Sequence, residues 1–396
     1  MQHLKKMIEF IRSTFQEPTG FIPLHDPRFI GNEKKYLNEC IDSNFVSSVG
    51  EFVSRFEQMC AEYTGAKFAV ATMNGTAALH IALKLAGVKR DEEVITQALT
   101  FIATANAIDY TGAKPVFIDV DKETMGLSPK AVAEWLKENV ELRDSPNSEV
   151  SGQLPYNKST NRRIAACVPM HTFGHPVKLD ELLEILEKYN IPLVEDSAES
   201  IGSYYKGKHT GTFGKFGVLS FNGNKVITTG GGGMILTNDE DLAKQAKHIT
   251  TQAKIPHAWE FKHDIIGYNY RLTNIAAAIG CAQLETLDEI LKLKRELAEK
   301  YREFFNDSEF VLFSEPENCH SNYWLNVVIA KDRKHRDQLL EYTNKHEIMA
   351  RPVWELMNRL PMFAHCQTDN LQNSIWLADR VVNIPSAAVI TGYGKK

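Results

Sequence analysis

None of the six cysteines belongs to a Cys-x-x-Cys pair; they stand singly at positions 40, 60, 167, 281, 319 and 366. That scatter argues against zinc or an iron–sulfur cluster and suits reduced thiols in the cytoplasm. A basic excess is missing too. The formal charge is −5, and pairs such as Arg162-Arg163 and Lys395-Lys396 are too short to make a basic face, so nucleic acid is not an expected partner. No apolar run approaches the length of a membrane span. The first fifteen residues place Leu4, Met7, Ile8, Ile11 and Phe15 on one helical face without the apolar core of a signal peptide. They read as a helix packed on the protein, with a membrane-surface helix the weaker option because Glu9 and Gln16 mix with its lysines. The Gly-x4-Gly-Lys-Ser/Thr loop of nucleoside-triphosphate enzymes is absent, and so are the spaced glycines of the dinucleotide fingerprint. Ser220 has no evident His and Asp partners, so a hydrolase triad has no support.

What is there is ordinary globular material, 43% apolar and 24% charged over 396 residues. Two domains are the natural expectation at that length. The most unusual stretch is 220–234, Ser-Phe-Asn-Gly-Asn-Lys-Val-Ile-Thr-Thr-Gly-Gly-Gly-Gly-Met. Four glycines in a row stabilise neither helix nor strand, so the backbone must bend tightly or approach something closely. Lys225 falls between two apolar runs expected to be buried strands. Its ammonium would lose hydration there, which favours the neutral amine. Neutral lysine amines form Schiff bases with carbonyls, and pyridoxal phosphate is the commonest such partner. A loop lysine beside a glycine hinge is the plain alternative.

Along the chain, Pro- and Gly-rich residues 21–31 form an extended lead-in loop, and helical patterns follow at 34–41 and 52–63. From Phe68 strands and helices alternate: strands at 68–71, 93–96, 115–120, 165–169 and 192–195, helices at 76–85, 102–110 and 179–189. Ser128-Pro129 starts another helix, a capping serine followed by proline. Residues 140–163 turn polar and read as a long surface loop. Such alternation predicts a mostly parallel sheet covered by helices on both faces, with ligands at the carboxyl ends of its strands. A capped helix at 239–251 and a long helical stretch from Thr273 to about Phe305 follow. Beyond it, strands at 323–329 and 347–353 and helices at 333–346 and 371–382 read as a smaller α/β domain. The expected division is an N-terminal helix and loop over 1–30, a large cofactor-binding domain over 31–285 and a small domain over 286–396.

Four stretches fall at strand ends or helix starts. Asn-Gly-Thr-Ala-Ala-Leu at 74–79 opens a helix directly after a strand, where free backbone N–H groups hold phosphate well, although plain capping explains Gly-Thr equally simply. Val-Glu-Asp-Ser-Ala-Glu at 194–199 puts an acidic pair at the end of an apolar strand. A carboxylate there could pair with a protonated pyridine nitrogen, or could merely cap a solvated strand end. The 220–234 stretch is the third and Gly-Tyr-Asn-Tyr-Arg at 267–271 the fourth; spacing alone does not raise the last above an ordinary loop. His171 and His175 flank Gly174 without an acidic ligand on a helix and read as loop or core histidines, not a metal site.

Together and in this order, Asn-Gly-Thr-Ala-Ala-Leu, Glu-Asp-Ser-Ala-Glu-Ser-Ile-Gly, Ser-Phe-Asn-Gly-Asn-Lys with the glycine run, and Gly-Tyr-Asn-Tyr-Arg-Leu-Thr resemble the DegT/DnrJ/EryC1/StrS sugar aminotransferases from about Phe45 onward. The resemblance implies the aspartate-aminotransferase-like fold, fold type I of the pyridoxal 5'-phosphate enzymes: an α/β protein with a mostly parallel large-domain sheet and a small C-terminal domain. It also implies a homodimer with shared active sites. By the same resemblance Lys225 would be the catalytic lysine that bonds the cofactor and moves protons. Asp196 would pair with the pyridine nitrogen, Glu199 would approach the phenolic oxygen, where many relatives carry glutamine, and Phe101 would stack on the ring. Gly75, Thr76 and Ser220 would hold the phosphate, with Asn269 reaching it from the partner subunit. Lys225 stands where sugar dehydratases of this kind carry histidine, which favours transamination.

Within the family, Asn-Gly-Asn-Lys-Val-Ile-Thr-Thr and Ser-Asn-Phe-Val-Ser-Ser-Val-Gly-Glu-Phe-Val look most like enzymes acting on UDP-linked 4-keto-6-deoxy-N-acetylhexosamines. The N-terminal helix and the polar insertion at 147–161 look like the legionaminic-acid-pathway subgroup. The expected reaction moves the amino group of L-glutamate to C4 of the sugar, giving UDP-2-acetamido-4-amino-2,4,6-trideoxyglucose. Ser47 and Arg351 are candidate substrate contacts, and Arg351 could equally be a surface salt-bridge residue. Two rival readings remain: an aminotransferase of a different nucleotide sugar such as GDP-4-keto-6-deoxymannose, and a non-catalytic cofactor-binding regulator, against which the intact Lys225, Asp196 and Ser220 argue.

Overall fold

The computed structural model describes residues 2–144 and 152–393. The chain opens with α1 (Gln2–Phe15), whose Leu4, Met7, Ile8 and Ile11 are buried against Leu297, Tyr301 and Phe305. The amphipathic N-terminal face is therefore covered by protein. Two helices, α2 (Glu33–Asp42) and α3 (Glu51–Thr64), precede the first strand, β1 (Phe68–Thr72).

Strand and helix then alternate as α4 (Gly75–Leu85), β2 (Glu93–Gln97), α5 (Ile102–Tyr110), β3 (Lys114–Ile118) and α6 (Pro129–Asn139). Ser128 caps α6 by accepting from the Ala131 N–H. Within the loop expected over 140–163, two described stretches are strands instead. β4 (Val140–Asp144) and β5 (Gln153–Asn157) pair antiparallel, and Arg143 lies over the Tyr156 ring. Cross-strand side-chain pairs of this kind stabilise a ribbon that hydrophobic periodicity does not reveal. The insertion expected at 147–161 lies partly outside the described residues.

The main sheet continues through β6 (Ile164–Val168), α7 (Leu179–Lys188), β7 (Val194–Asp196), β8 (Phe216–Ser220) and β9 (Gly233–Thr237). A three-stranded parallel group, β3-β2-β6, joins a four-stranded group, β7-β8-β9-β1, through the parallel bridges Cys167–Leu193 and Met170–Asp196. β9 runs antiparallel to both its neighbours. The segment joining β8 to β9 is too short and too glycine-rich for a crossover helix, so the chain can only double back beside β8. Both faces of the sheet are buried. Val70, Val218 and Ile235 pack under α4, while Ala71, Leu219, Met234 and Leu236 face Phe56 of α3 and Ala278 of the next long helix.

After α8 (Glu240–Thr250), helices α9 (Asn274–Glu285) and α10 (Leu287–Phe305) meet at Thr286. The C-terminal region centres on β10 (Asn326–Ile329) and β11 (Val381–Ile384), paired antiparallel, with α11 (Arg333–Lys345) packed nearby. Two expectations fail here. The helix expected over 371–382 covers only Gln372–Ala378, after which the chain turns into β11; the strand expected over 347–353 shrinks to Arg351–Pro352. Pairing with β10 decided the former, because Val381 and Val382 fill a strand's place in the core as readily as a helix's. The six cysteines are all unpaired, and no helix among the described residues is long and apolar enough to cross a membrane.

Candidate active site

Three of the singled-out stretches leave the sheet at the same edge: β1 ends just before Gly75, β7 ends on Asp196, and β8 ends on Ser220. Their side chains line one pocket of about 310 Å³, which holds Gly75, Thr76, Phe101, Asp196, Glu199, Ser220 and Lys225 together. The carboxyl edge of a parallel sheet is where such pockets form, because loops diverge there and helices begin.

One wall is the start of α4. Asn74 caps it by accepting from the Ala77 N–H at 2.8 Å, which leaves the N–H groups of Gly75 and Thr76 without partners within the helix. A Cβ on Gly75 would lie 2.9 Å from the Ser220 Cβ, and one on Gly233 would lie 2.5 Å from the Asn74 backbone. The glycines thus let three chain segments close around a cradle of N–H and O–H donors, the chemistry that holds a phosphate.

The acidic pair at 195–196 divides its duties by strand alternation. Glu195 points into protein, where its Oε1 accepts from the N–H groups of Phe213 and Gly214 and its Oε2 from that of Gly211. Asp196 points into the pocket. Thr104 Oγ1 donates to its Oδ2 at 2.7 Å and the Ala198 N–H to its Oδ1 at 3.2 Å. Burial raises the Asp196 pKa against the Thr104 hydrogen bond, which lowers it. Glu199 is pushed up to about 7, first by burial, with the Lys225 charge opposing. Its Oε2 accepts from the Phe173 N–H at 2.8 Å, and its Oε1 stands 3.4 Å from Lys225 Nζ.

An aromatic wall closes the far side. Lys225 Nζ lies 4.1 Å from the ring centroid of Trp324, and Trp354 meets Phe101 edge-on at 5.8 Å. Phe101 itself is half-exposed at the pocket mouth. Sequence reasoning missed Trp324, Trp354 and Thr104. Trp324 and Trp354 come from the C-terminal region and nothing in their local pattern marks them; Thr104, three residues after Phe101, is marked only by lying on the helix that follows it.

Three candidates stand apart from this pocket. Asn269 is exposed on its own chain, bridged to Thr251. Ser47 is exposed, with its carbonyl accepting from the Asn274 N–H at 2.6 Å. Arg351 is exposed, and its Nη1 donates to Asn344 Oδ1 at 3.3 Å. His171 and His175 are both wholly buried; His171 Nδ1 accepts from the Val177 N–H while its Nε2 faces Glu195 at 3.2 Å.

A buried carboxylate, a primary amine, a donor cradle and a flat aromatic within one pocket match the functional groups of pyridoxal phosphate: a pyridine nitrogen, an aldehyde, a phosphate and a ring face. The residues present therefore fit that cofactor.

The profile of the DegT/DnrJ/EryC1/StrS aminotransferase family matches residues 27–393. The chain is 38% identical to the GDP-perosamine synthase of Escherichia coli O157:H7 over 344 residues, covering 87% of each chain. It is 39% identical to the putative pyridoxal phosphate-dependent aminotransferase EpsN of Bacillus subtilis, covering 86% of this chain and 84% of that one. With the GDP-perosamine synthase of Vibrio cholerae it shares 34% over 370 residues, 92% of this chain and 94% of the other. Among solved structures, the aminotransferase TlmJ from Streptoalloteichus hindustanus superposes with a TM-score of 0.82 at 26% identity, covering 94% of this chain and 95% of that one.

Proposed function

The chain belongs to the DegT/DnrJ/EryC1/StrS aminotransferase family and is a pyridoxal-phosphate-dependent sugar aminotransferase of fold type I, and from that premise we propose that it aminates C4 of GDP-4-keto-6-deoxymannose with L-glutamate as donor. The observation that carries the choice of sugar is the likeness, along most of the chain, to proteins named GDP-perosamine synthases. The motifs at 43–53 and 222–229 favour the other substrate, a UDP-linked 4-keto-6-deoxy-N-acetylhexosamine, which is the competing arm of the test.

Pyridoxal phosphate supplies an electron sink that lets an amino-bearing carbon lose and regain a proton. In this reading the chain's residues hold it and move the protons. Gly75, Thr76 and Ser220 would hold the phosphate, Phe101 would cover one ring face, and Asp196, kept in place by Thr104, would pair with the ring nitrogen. Glu199 would stand beside the phenolic oxygen. Lys225, beside it, carries the proton away from the donor carbon and delivers one to C4 of the sugar. The net change balances as glutamate becoming 2-oxoglutarate while the C4 carbonyl becomes an amine.

A homodimer is part of the proposal. Trp259, Phe261 and Ile266 are exposed at 78%, 81% and 84% on the segment that leads to Asn269, a bare apolar surface that a second copy would cover. The unpaired cysteines support a cytoplasmic location.

The test is a side-by-side incubation with glutamate and each 4-keto nucleotide sugar, followed by mass spectrometry of the products. Amination of the GDP sugar in large excess is expected. Turnover of the UDP sugar with an inert GDP sugar would replace this reading with the UDP one. Residues Asn269, Ser47 and Arg351 remain candidates for contacts made across the dimer or with the sugar, to be read from KM changes in their alanine variants.

A further inference from the structure

We propose that Trp324 is a positioning residue for Lys225, holding the lysine's ammonium against its indole face and the preceding backbone through its indole N–H. This rests on the reading of Lys225 as the reacting amine. The ammonium lies 4.1 Å from the ring centroid, and Trp324 Nε1 donates to the carbonyl of Asn224 at 2.7 Å, one residue before the lysine. A single side chain therefore fixes both the end of the lysine and the start of its backbone. Trp324 is only 5% exposed, so the cation–ring attraction acts with little water to weaken it.

Trp324 is itself held from several directions. Its N–H donates to Asn322 Oδ1 at 2.8 Å, and the Asn322 amide donates to the carbonyls of Glu199 and Ile201 at 2.9 and 2.8 Å. Its carbonyl accepts from Lys294 Nζ at 3.2 Å, and the same amine donates to the Ser386 carbonyl at 2.5 Å. Residues 322–324 thus tie the Glu199 backbone and the Lys225 side chain to one rigid segment of the C-terminal region. Gly174 permits the fit, because a Cβ there would lie 1.9 Å from Asn322 Oδ1. The charged or titratable groups around Lys225 are Glu199 at 3.4 Å, Asp196 beyond it, and His25 of the lead-in loop. The indole is uncharged and comes from a distant part of the chain, so it can be varied without changing the charge of the site.

The test reads amine reactivity and needs no turnover. The full-length chain, freed of cofactor, is labelled with acetic anhydride across the titration range of an amine, and acetylation of Lys225 is followed by peptide mass spectrometry. Buried Lys294 serves as the internal control for loosening of the fold. Trp324→Leu removes the ring face, and its Lys225 should label roughly tenfold faster at neutral pH. Trp324→Phe keeps a weaker ring face and loses the N–H, and should fall between, with Lys294 unchanged. Labelling of Lys225 in both variants at the wild-type rate would overturn the proposal, and so would a rise matched by Lys294, which reports general opening. If Trp324→Leu does not fold, Trp324→Phe decides alone. Failure of the wild-type chain to form a cofactor absorption band would instead overturn the catalytic reading of Lys225, a result distinct from unchanged labelling.

Discussion

Lys225 Nζ and Glu199 Oε1 stand 3.4 Å apart, from segments that follow two neighbouring parallel strands. Burial raises the Glu199 carboxyl to about 7 even though the amine opposes it. A carboxyl whose pKa is higher folded than unfolded binds more protons in the native state, so its stabilising effect is complete below the unfolded pKa and is lost as pH rises through the folded one. Glu199→Gln should therefore flatten the fall in stability between about pH 5 and about pH 8 by an amount on the order of 2–3 kcal/mol. Urea denaturation of both proteins at the two pH values checks it, and parallel slopes for the two would remove Glu199 as the cause.

Lys225→Ala should lower turnover by roughly 10²–10⁴-fold or more, the usual loss when a positioned proton carrier is removed. The variant should also lack the absorption band that pyridoxal phosphate gives when bonded to a lysine. Spectra before and after adding glutamate, with single-turnover kinetics, make the measurement. Full turnover in this variant would leave Lys225 a structural residue.

Gly75→Ala should weaken cofactor binding. The new Cβ would meet the Ser220 Cβ at 2.9 Å, so the cradle must open by several tenths of an ångström. A cost of about 1–2 kcal/mol, roughly tenfold in Kd, follows from overpacking of this size. Quenching of tryptophan fluorescence on titration with pyridoxal phosphate would read it, and an unchanged Kd would show that the phosphate is held elsewhere.

Asp119 fastens the C-terminal region to the end of β3. Its Oδ1 accepts from the Ser374 N–H and hydroxyl at 2.7 and 2.6 Å, and its Oδ2 from the Asn373 N–H at 2.8 Å. Asp119→Ala leaves these buried or half-buried donors unsatisfied and should cost about 2–3 kcal/mol. The midpoint of urea unfolding should fall with an unchanged slope. A drop of a few tenths would mean that water replaces the carboxylate.

The glycine run, the acidic strand end and the Gly-Thr helix start were legible because each is contiguous, and strand alternation sends neighbouring side chains to opposite faces. The expected loop at 140–163 and the expected helix at 371–382 failed for the opposite reason. β4 with β5, and β11 with β10, exist because another strand lies beside them, and hydrophobic period reports burial without saying against what.

By itself the sequence determined the βα alternation and put Gly75-Thr76, Asp196, Glu199 and Lys225 just at or beyond strand ends, since these follow from patterns within single segments; what those residues would do came from the family resemblance. Tertiary structure decided the rest. It set β9 antiparallel, turned Glu195 inward and Asp196 into the pocket, and brought Trp324, about a hundred residues downstream, onto Lys225. Those outcomes depend on which surfaces meet across the core, and contacts between segments far apart in the chain leave no periodic trace in either one.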